Sequence, residues 1–351
     1  PELSRGLGDV YKRQSPTCVM SFGDKERAKG YLLGQENNGL ACMFTMMNNA
    51  RLNVGMQGVG IAERALQQSI IYARERKQGK HFKNNNSESV EIINHPDVLK
   101  MLLKMKTLTE ASRALCYDNA IAIDLAESHP DKLMREKFKL KADLLTPISK
   151  SWSTDIGVEV ASLGIQIHGG MGFVEDTGAA QFFRDSRISP IYEGTNGIQA
   201  IDLVMRKLLL ADGRAINDFI MEFNATLEMC SKESNKDFQS MADVFAESIK
   251  NLKLSTDKLS QSVKANENYS SLFVASNYLE LLGITAGAHY LIRGALASRN
   301  IKNNDFFESK KDMAIFYSTQ ILTNTIGLSK TICSETFELE NHRIDNILGD
   351  L

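Results

Sequence analysis

Cysteine and histidine are sparse in this 351-residue sequence and lie far apart. The five cysteines form no CxxC pair, and the six histidines show no HxxxH or HExxH spacing. Disulfide frameworks and zinc sites depend on such spacing. The pattern therefore predicts buried, reduced thiols of a cytoplasmic protein and no metal site.

An excess of positive charge is also lacking, as are long apolar runs. The net charge is -2 and the sequence pI is about 6.4, so the basic patch or stripe expected of a nucleic-acid partner is not indicated. No run approaches the roughly 18 apolar residues of a membrane span, and the start lacks the apolar region of a signal peptide. With 43% hydrophobic residues, the composition is that of a globular protein of two or more domains.

Proline is scarce, with six in the chain and none after Pro190, which permits long helices. Apolar periodicity predicts three long helices early in the chain, at about 38–77, 96–127 and 131–163. Pro96 suits the first turn of the second helix. Pro147 is expected to kink or interrupt the third, and Thr154 and Asp155 to mark a second local break. The stretch GKHFKNNNSESVEIINH between the first two helices is expected to be a polar loop.

Later segments continue the helical pattern. Helices are predicted at about 197–210, 214–231, 236–265, 267–298 and 308–334. Before the first helix, VMSFG and KGYLLG are expected to form two short strands around a turn. The fold class is therefore mainly α, with two helical bundles in series that follow a short β remnant.

Three glycines, Gly55, Gly58 and Gly60, lie inside the first predicted helix. Each weakens a helix by about 1 kcal/mol relative to alanine. Their presence predicts that another helix, or a ligand, packs closely against this face.

Two segments carry groups suited to an anionic ligand. In YARERKQGK, Arg74 and Arg76 lie near a helix C-terminus, where positive charge is favourable for the helix dipole. An arginine there is also suited to a pyrophosphate, because its fork matches a dianionic group. In QIHGGMGF, Gly169 and Gly170 either end a helix or let backbone N–H groups approach phosphate oxygens. His168 is expected to be an ordinary packed or surface histidine.

The stretch SPIYEGTNGIQ places one carboxylate, Glu193, between a tyrosine and a glycine ahead of a helix. Its residues alone favour a solvated acid near a helix start. The alternative is a general base, since the apolar neighbours Ile191 and Tyr192 disfavour the charged form of a carboxylate. Gly194 gives the backbone freedom to aim that side chain.

Together and in this order, YARERKQG, QIHGGMGF and FRDSRISPIYEGTNGIQ resemble the arginine, glycine-rich flavin and catalytic-glutamate segments of the acyl-CoA dehydrogenase family. The resemblance covers about residues 15–351 and is closest to the 3-methylmercaptopropionyl-CoA dehydrogenase-like subgroup, which has an extra C-terminal helical region. It implies the end of the middle β domain at 15–36, a C-terminal four-helix-bundle domain at 37–212 and an additional helical domain at 213–351. Residues 1–14 look like a non-native tail. The family's N-terminal parts would precede this fragment, which alone is expected to be inactive.

The resemblance also implies a reaction. FAD-dependent dehydrogenation would convert an acyl-CoA to a trans-2-enoyl-CoA, with Glu193 as the base for the α-proton and the flavin as hydride acceptor. Electrons would pass to an electron-transfer flavoprotein, in a bacterial cytoplasmic homodimer or homotetramer. The matching positions for FAD are Arg76, Gln78, Gln166, Gly169, Gly170 and Thr195, and those for the substrate are Arg51, Tyr192 and Gly194.

Two alternatives remain open from the sequence. An acyl-CoA oxidase-like enzyme would use the same residues and pass electrons to oxygen. A helical binding or scaffold module would keep the fold without catalysis, which the retained YEGT and HGGMG segments disfavour.

Overall fold

The computed structural model describes residues 19–81, 88–334 and 349. It divides into two units, residues 1–45 and 46–351. The described part of the first unit is extended or bent up to the start of a helix at Gly39. The two strands expected over VMSFG and KGYLLG are therefore wrong. Strands need a hydrogen-bonded partner, and the apolar side chains here, such as Tyr31 and Leu33, are exposed and not packed in a sheet.

Helices make up most of the described chain, which confirms the mainly α fold. Their bounds are α1 Gly39–Glu75, α2 Pro96–Ser128, α3 Lys132–His168, α4 Gly170–Phe173, α5 Ala179–Ser186, α6 Asn196–Asp202, α7 Arg214–Ser231, α8 Lys236–Lys264, α9 Asn268–Phe273, α10 Ala275–Ser298, α11 Asn304–Gln320 and α12 Asn324–Cys333. Short 3-10 turns lie at Ile92–Asn94 and Glu175–Thr177. No helix of the described residues combines the length and apolar character that crossing a bilayer requires.

A small hairpin replaces part of the polar loop predicted after α1. Strand β1, Lys77–Lys80, pairs antiparallel with β2, Ser89–Glu91. The pair is extended by a bond from the Ile92 amide to the Arg76 carbonyl, at 2.8 Å. Its polar, mostly exposed residues lack the apolar alternation that predicts a strand.

Helix α3 is continuous, so neither predicted interruption forms. Pro147 lies inside it, where the lost backbone hydrogen bond is offset by the complete burial of Leu144, Leu145 and Ile148. The polar side chains of Thr154 and Asp155 do not break the helix either. Both bind Asn196 of a distant loop instead.

Helices α1 and α3 cross at very short distance. A β-carbon on Gly58 would lie 2.8 Å from the backbone Cα of Thr154, and one on Gly157 would lie 2.9 Å from the Cα of Gly58. Gly55 likewise faces the Ser149 backbone. The expected close packing against a helix is thus confirmed for Gly55 and Gly58. At Gly60 no helix packs closely, since nothing lies within 4 Å of an added β-carbon, and the ligand alternative stays a prediction there.

The later helices share one core with the earlier ones. Helix α10 packs against α2, α3, α7, α8, α11 and α12, and buried apolar side chains form one cluster from Ala62 to Ile332. The ring of Trp152 on α3 lies against Gly283 and Gly287 of α10, where added β-carbons would come within 2.6 and 2.9 Å of it. The domain boundary at residue 212 stays a prediction, next to the left-handed residues Ala211, Asp212 and Gly213.

Two of the later predicted helices are each divided. The prediction at 267–298 corresponds to α9 and α10, and that at 308–334 to α11 and α12. The second break lets both Ile321 and Leu322 enter the core, where they are buried. The predicted helix at 197–210 becomes α6 followed by a π-helical turn, Leu203–Lys207.

Candidate functional site

The arginine and glycine-rich segments meet at one cavity of about 390 Å³. The end of α1 and β1 form one wall, and the end of α3 with the start of α4 forms the other. The lining residues are Tyr72, Arg76, Gln78, Ile92, Ile167, His168, Gly169, Gly170 and Met171. Two segments that are about 90 residues apart in sequence therefore share a surface, as a common ligand requires.

Glycine has distinct roles in this cavity. Gly169 ends α3 with φ of 60°, which confirms a conformational need for glycine at the helix stop. Added β-carbons at Gly169 and Gly170 would meet nothing within 4 Å, so the space above them is open. Gly172, by contrast, packs against the Ile165 backbone. The first two positions therefore leave room for a ligand, and the third serves packing.

Polar groups lie at the rim of the same cavity. Arg76 and Gln78 are exposed, and the Arg76 guanidinium donates to the Gln78 side chain over 3.3 Å. Gln166, two residues before the end of α3, is also exposed and is not part of the lining. His168 is buried, stacks on Tyr72 at 4.4 Å and has Nδ1 2.7 Å from the Gly164 carbonyl oxygen. Of the two positions expected for it, packed or on the surface, His168 thus has the packed one.

Glu193 lies in the turn between α5 and α6, which we call the Glu193 loop and define as residues 187–195. Its backbone is left-handed, with φ of 57°, and that of Gly194 follows with φ of 80°. A side chain on Gly194 would come within 2.9 Å of Nε2 of Gln199. Thr195 caps α6, since its hydroxyl accepts from the Ile198 amide at 3.2 Å. Glu193 itself is half-buried.

The predicted substrate residues come together around this loop. Arg51 of α1 is 6% exposed, and its guanidinium lies 3.8 Å from the β-carbon position of Gly194. Its Nε has no hydrogen-bond partner among the described residues. Tyr192 donates a hydrogen bond to Gln57 of α1. A buried cation therefore lies next to Gly194 in the Glu193 loop.

Sequence reasoning missed the residues that hold the loop. Lys150 of α3 is completely buried and donates to the Gly194 carbonyl at 2.9 Å and to Oδ1 of Asn196 at 2.8 Å. Burial, with a smaller contribution from the positive charge of Arg51, lowers the pKa of the Lys150 ammonium to about 8, while the carboxylates of Asp155 and Glu193 partly oppose this shift. A lysine at the middle of a helix carries no local sign that it points inward.

Behind the loop, a second cavity of about 290 Å³ lies between α3, α6 and α10. Asp155 and Glu159 of α3 and Glu280 of α10 line it, together with Trp152 and Asn196. Burial against the cavity walls raises the pKa of both Asp155 and Glu280, although each keeps an edge open to solvent. The additional C-terminal helices thus contribute to the surroundings of Asn196.

The two groups of predicted site residues are far apart along α3. Lys150 contacts the Glu193 loop, and His168 lines the cavity formed by the arginine and glycine-rich segments, which we call the glycine-rich cavity. Their 18-residue separation on a helix corresponds to about 27 Å. The structure therefore brings each group together separately.

Comparisons with known proteins find similarity to acyl-CoA dehydrogenases along most of the chain. Residues 37–209 match the profile described as acyl-CoA dehydrogenase, C-terminal domain, and residues 219–339 match that described as acetyl-CoA dehydrogenase C-terminal like. The 3-methylmercaptopropionyl-CoA dehydrogenase of Ruegeria pomeroyi is 50% identical over 63% of this chain and 37% of that protein. A butyryl-CoA dehydrogenase of Syntrophomonas wolfei is 26% identical over 91% of this chain and 54% of its own length.

Solved structures show the same fold. ACDH-11 of Caenorhabditis elegans, in complex with C11-CoA, superposes with a TM-score of 0.68 at 20% identity, covering 88% of this chain and 50% of that one. An acyl-CoA dehydrogenase of Bacillus anthracis, complexed with FAD, gives a TM-score of 0.61 at 18% identity, covering 90% and 58%. The chain spans about a third to a half of the length of these two curated relatives.

Proposed function

Because the chain belongs to the acyl-CoA dehydrogenase family, of which it carries the C-terminal helical domains, we propose that it forms the helical part of an FAD-dependent acyl-CoA dehydrogenase with Glu193 as base. The observation that carries this is the position of Glu193 in a left-handed backbone next to Gly194, whose β-carbon position lies 3.8 Å from the guanidinium of the buried Arg51. Residues 37–212 would be the family's helical domain and 213–351 an additional one, with 15–36 ending the β domain. Residues 1–14 lie outside the described part.

The proposed reaction uses one carboxylate of this chain. Glu193 takes the α-proton of the acyl-CoA onto a carboxylate oxygen, and the product is a trans-2-enoyl-CoA. FAD, when bound, supplies the hydride acceptor for the β-carbon. Arg51 orients the acyl-CoA through its free donor, and Tyr192 lies beside the thioester. Since thioester α-protons are weakly acidic, the transfer needs a carboxylate held close to the α-carbon.

The glycine-rich cavity fits the adenosine diphosphate part of FAD. The open space over Gly169 and Gly170 leaves room for phosphates close to the backbone. Arg76 at the rim offers a guanidinium to the pyrophosphate, and Gln78 and Gln166 offer amides nearby. Thr195 belongs instead to the Glu193 loop, where the flavin end of FAD would lie.

The separation of about 27 Å along α3 bears on assembly. The pyrophosphate and the flavin ring of FAD are joined by one ribityl chain, which is far shorter than this distance. The cavity of one copy and the Glu193 loop of the same copy therefore serve different flavins. This favours a homodimer or homotetramer in which Arg76 of each copy reaches the cofactor beside another copy's base.

Further parts of the proposal concern the whole protein. We propose a bacterial cytoplasmic enzyme that passes electrons to an electron-transfer flavoprotein. Identity to the Ruegeria relative supports 3-methylmercaptopropionyl-CoA as a substrate to test first. A peroxide assay without an added electron acceptor distinguishes this enzyme from an oxidase.

The decisive experiment replaces Glu193 by glutamine in the full-length protein. We expect FAD to bind as in the wild type, while bleaching of the flavin absorbance by acyl-CoA slows by about 10³-fold or more, because the base is lost. Glu175→Gln is the matched control, since Glu175 is an exposed glutamate outside the Glu193 loop, paired with Arg184 at 2.6 Å. Unchanged bleaching in Glu193→Gln would exclude Glu193 as the base. Loss of FAD binding from the wild-type protein would favour the scaffold alternative.

A further inference from the structure

Lys150 is a buried cation beneath the Glu193 loop, and the proposed chemistry does not use it. Its Nζ donates to two neutral oxygens, the carbonyl of Gly194 at 2.9 Å and Oδ1 of Asn196 at 2.8 Å. Removing an ammonium from water is costly, and stability alone would be served as well by an apolar side chain of similar shape. The charge at this position therefore suggests a role in the loop that it contacts.

The loop needs such support because of its backbone. Glu193 is a non-glycine residue with φ of 57°, a conformation that L-residues disfavour. The Gly194 carbonyl lies one peptide unit beyond the bond that joins Glu193 to Gly194. Lys150 holds this carbonyl by a hydrogen bond. Gln199 reaches the Glu193 and Gly194 carbonyls only at 3.4 Å each. Lys150 thus makes the shorter and charge-assisted contact to this turn.

Asn196 provides the second arm of the same support. Its amide nitrogen donates to the Ser151 carbonyl at 3.1 Å, to the Thr154 hydroxyl at 3.0 Å and to Asp155 at 2.8 Å. One turn of α3 therefore holds Asn196 on one side, while Lys150 holds its Oδ1 on the other. The backbone on the C-terminal side of Glu193 is tied to α3 at two points, the Gly194 carbonyl and the Asn196 side chain.

We propose that Lys150 is a positioning residue for Glu193, which holds the Gly194 carbonyl and Asn196 so that the base keeps the orientation needed for proton abstraction. The inference rests on the proposed role of Glu193. Lys150 is completely buried behind the loop and acts through the Gly194 carbonyl and Asn196, which it contacts directly.

The test replaces Lys150 by methionine in the full-length, FAD-loaded protein, with Lys139→Met as control because Lys139 is an exposed lysine of the same helix. Asn196→Ala is a second variant that removes the other arm without altering the buried position. We expect flavin bleaching to slow by about 10- to 100-fold in both, since small misplacements of a reacting group cost rates of this order. Half-saturation by acyl-CoA should stay within about threefold, because uniform binding is unaffected.

Hydrogen–deuterium exchange of the peptide 190–199 gives a readout that does not depend on activity. Exchange should be faster in Lys150→Met and Asn196→Ala than in the Lys139→Met control. Unchanged exchange, unchanged bleaching, or a loss of acyl-CoA affinity as large as the loss of rate would each overturn the proposal. A wild-type protein that acyl-CoA does not bleach would instead refute the proposed function, and exchange alone would then decide whether Lys150 holds the loop.

Discussion

The close crossing of α1 and α3 makes a quantitative prediction for alanine at two glycines of the same helix. Alanine at Gly60 meets nothing within 4 Å, so only the helix propensity changes, and stability should rise by about 0.5–1 kcal/mol. Alanine at Gly58 has the same gain in propensity. Its β-carbon, however, would lie 2.8 Å from backbone atoms of Ser153 and Thr154, which cannot turn aside as a side chain can.

The difference between the two variants therefore isolates the cost of the clash. Overpacking of a filled interior costs about 1–3 kcal/mol, so Gly58→Ala should be less stable than Gly60→Ala by about that amount. Urea unfolding of the purified chain, followed by far-ultraviolet circular dichroism, measures both midpoints. Equal midpoints, or a higher one for Gly58→Ala, would refute the reasoning. The clash should also separate Arg51 on α1 from Lys150 on α3 and so disturb the Glu193 loop.

Two further predictions concern the C-terminal helices. Burial lowers the pKa of His289 to about 3, from the value of 6.5 of an unperturbed histidine. Between these pH values the unfolded state binds a proton at this ring that the folded state does not bind. The free energy of unfolding therefore falls as pH falls from about 6.5 towards 3. Between pH 7 and pH 5 the loss of stability from this one ring is about 2 kcal/mol. In His289→Asn, the difference in unfolding free energy between the two pH values, measured by urea unfolding, should be smaller by that amount. An unchanged difference would contradict the prediction. Lys141 pairs with Asp118 of α2 at 2.9 Å and Glu222 of α7 at 2.8 Å, so Lys141→Met should destabilise the chain by about 1–3 kcal/mol in the same assay, and no effect would contradict a structural role.

The helices were largely predictable from the sequence because their signals are local. Pro96 begins α2, and the HPDK stretch separates α2 from α3, as expected. The strands at VMSFG and KGYLLG were not, because a strand depends on a partner that need not be near in sequence. Pro147 misled for a related reason, since the burial that offsets its missing hydrogen bond comes from tertiary packing.

The candidate site was likewise predictable where its signals are local in sequence and not where they depend on tertiary contacts. Short motifs pointed to Glu193, Gly169 and Arg76, and in the structure Gly169 and Arg76 share one cavity while Glu193 lies in a separate loop. Lys150 was missed because it contacts Gly194 across 44 residues of sequence and its surroundings on α3 resemble any helix. Thr154 and Asp155 are two adjacent polar residues in a largely buried helix, a pattern that predicts a helix break. In the structure both side chains bind Asn196 and the helix continues.

The position of Trp152 has an experimental consequence. It is the single tryptophan of the chain, and its ring lies between α3, which carries Lys150, and the glycines of α10. Its fluorescence therefore reports on one place, the seam where the additional helices meet the helix that supports the Glu193 loop. A shift of its emission during unfolding marks the moment at which that seam opens, with no label attached to the chain.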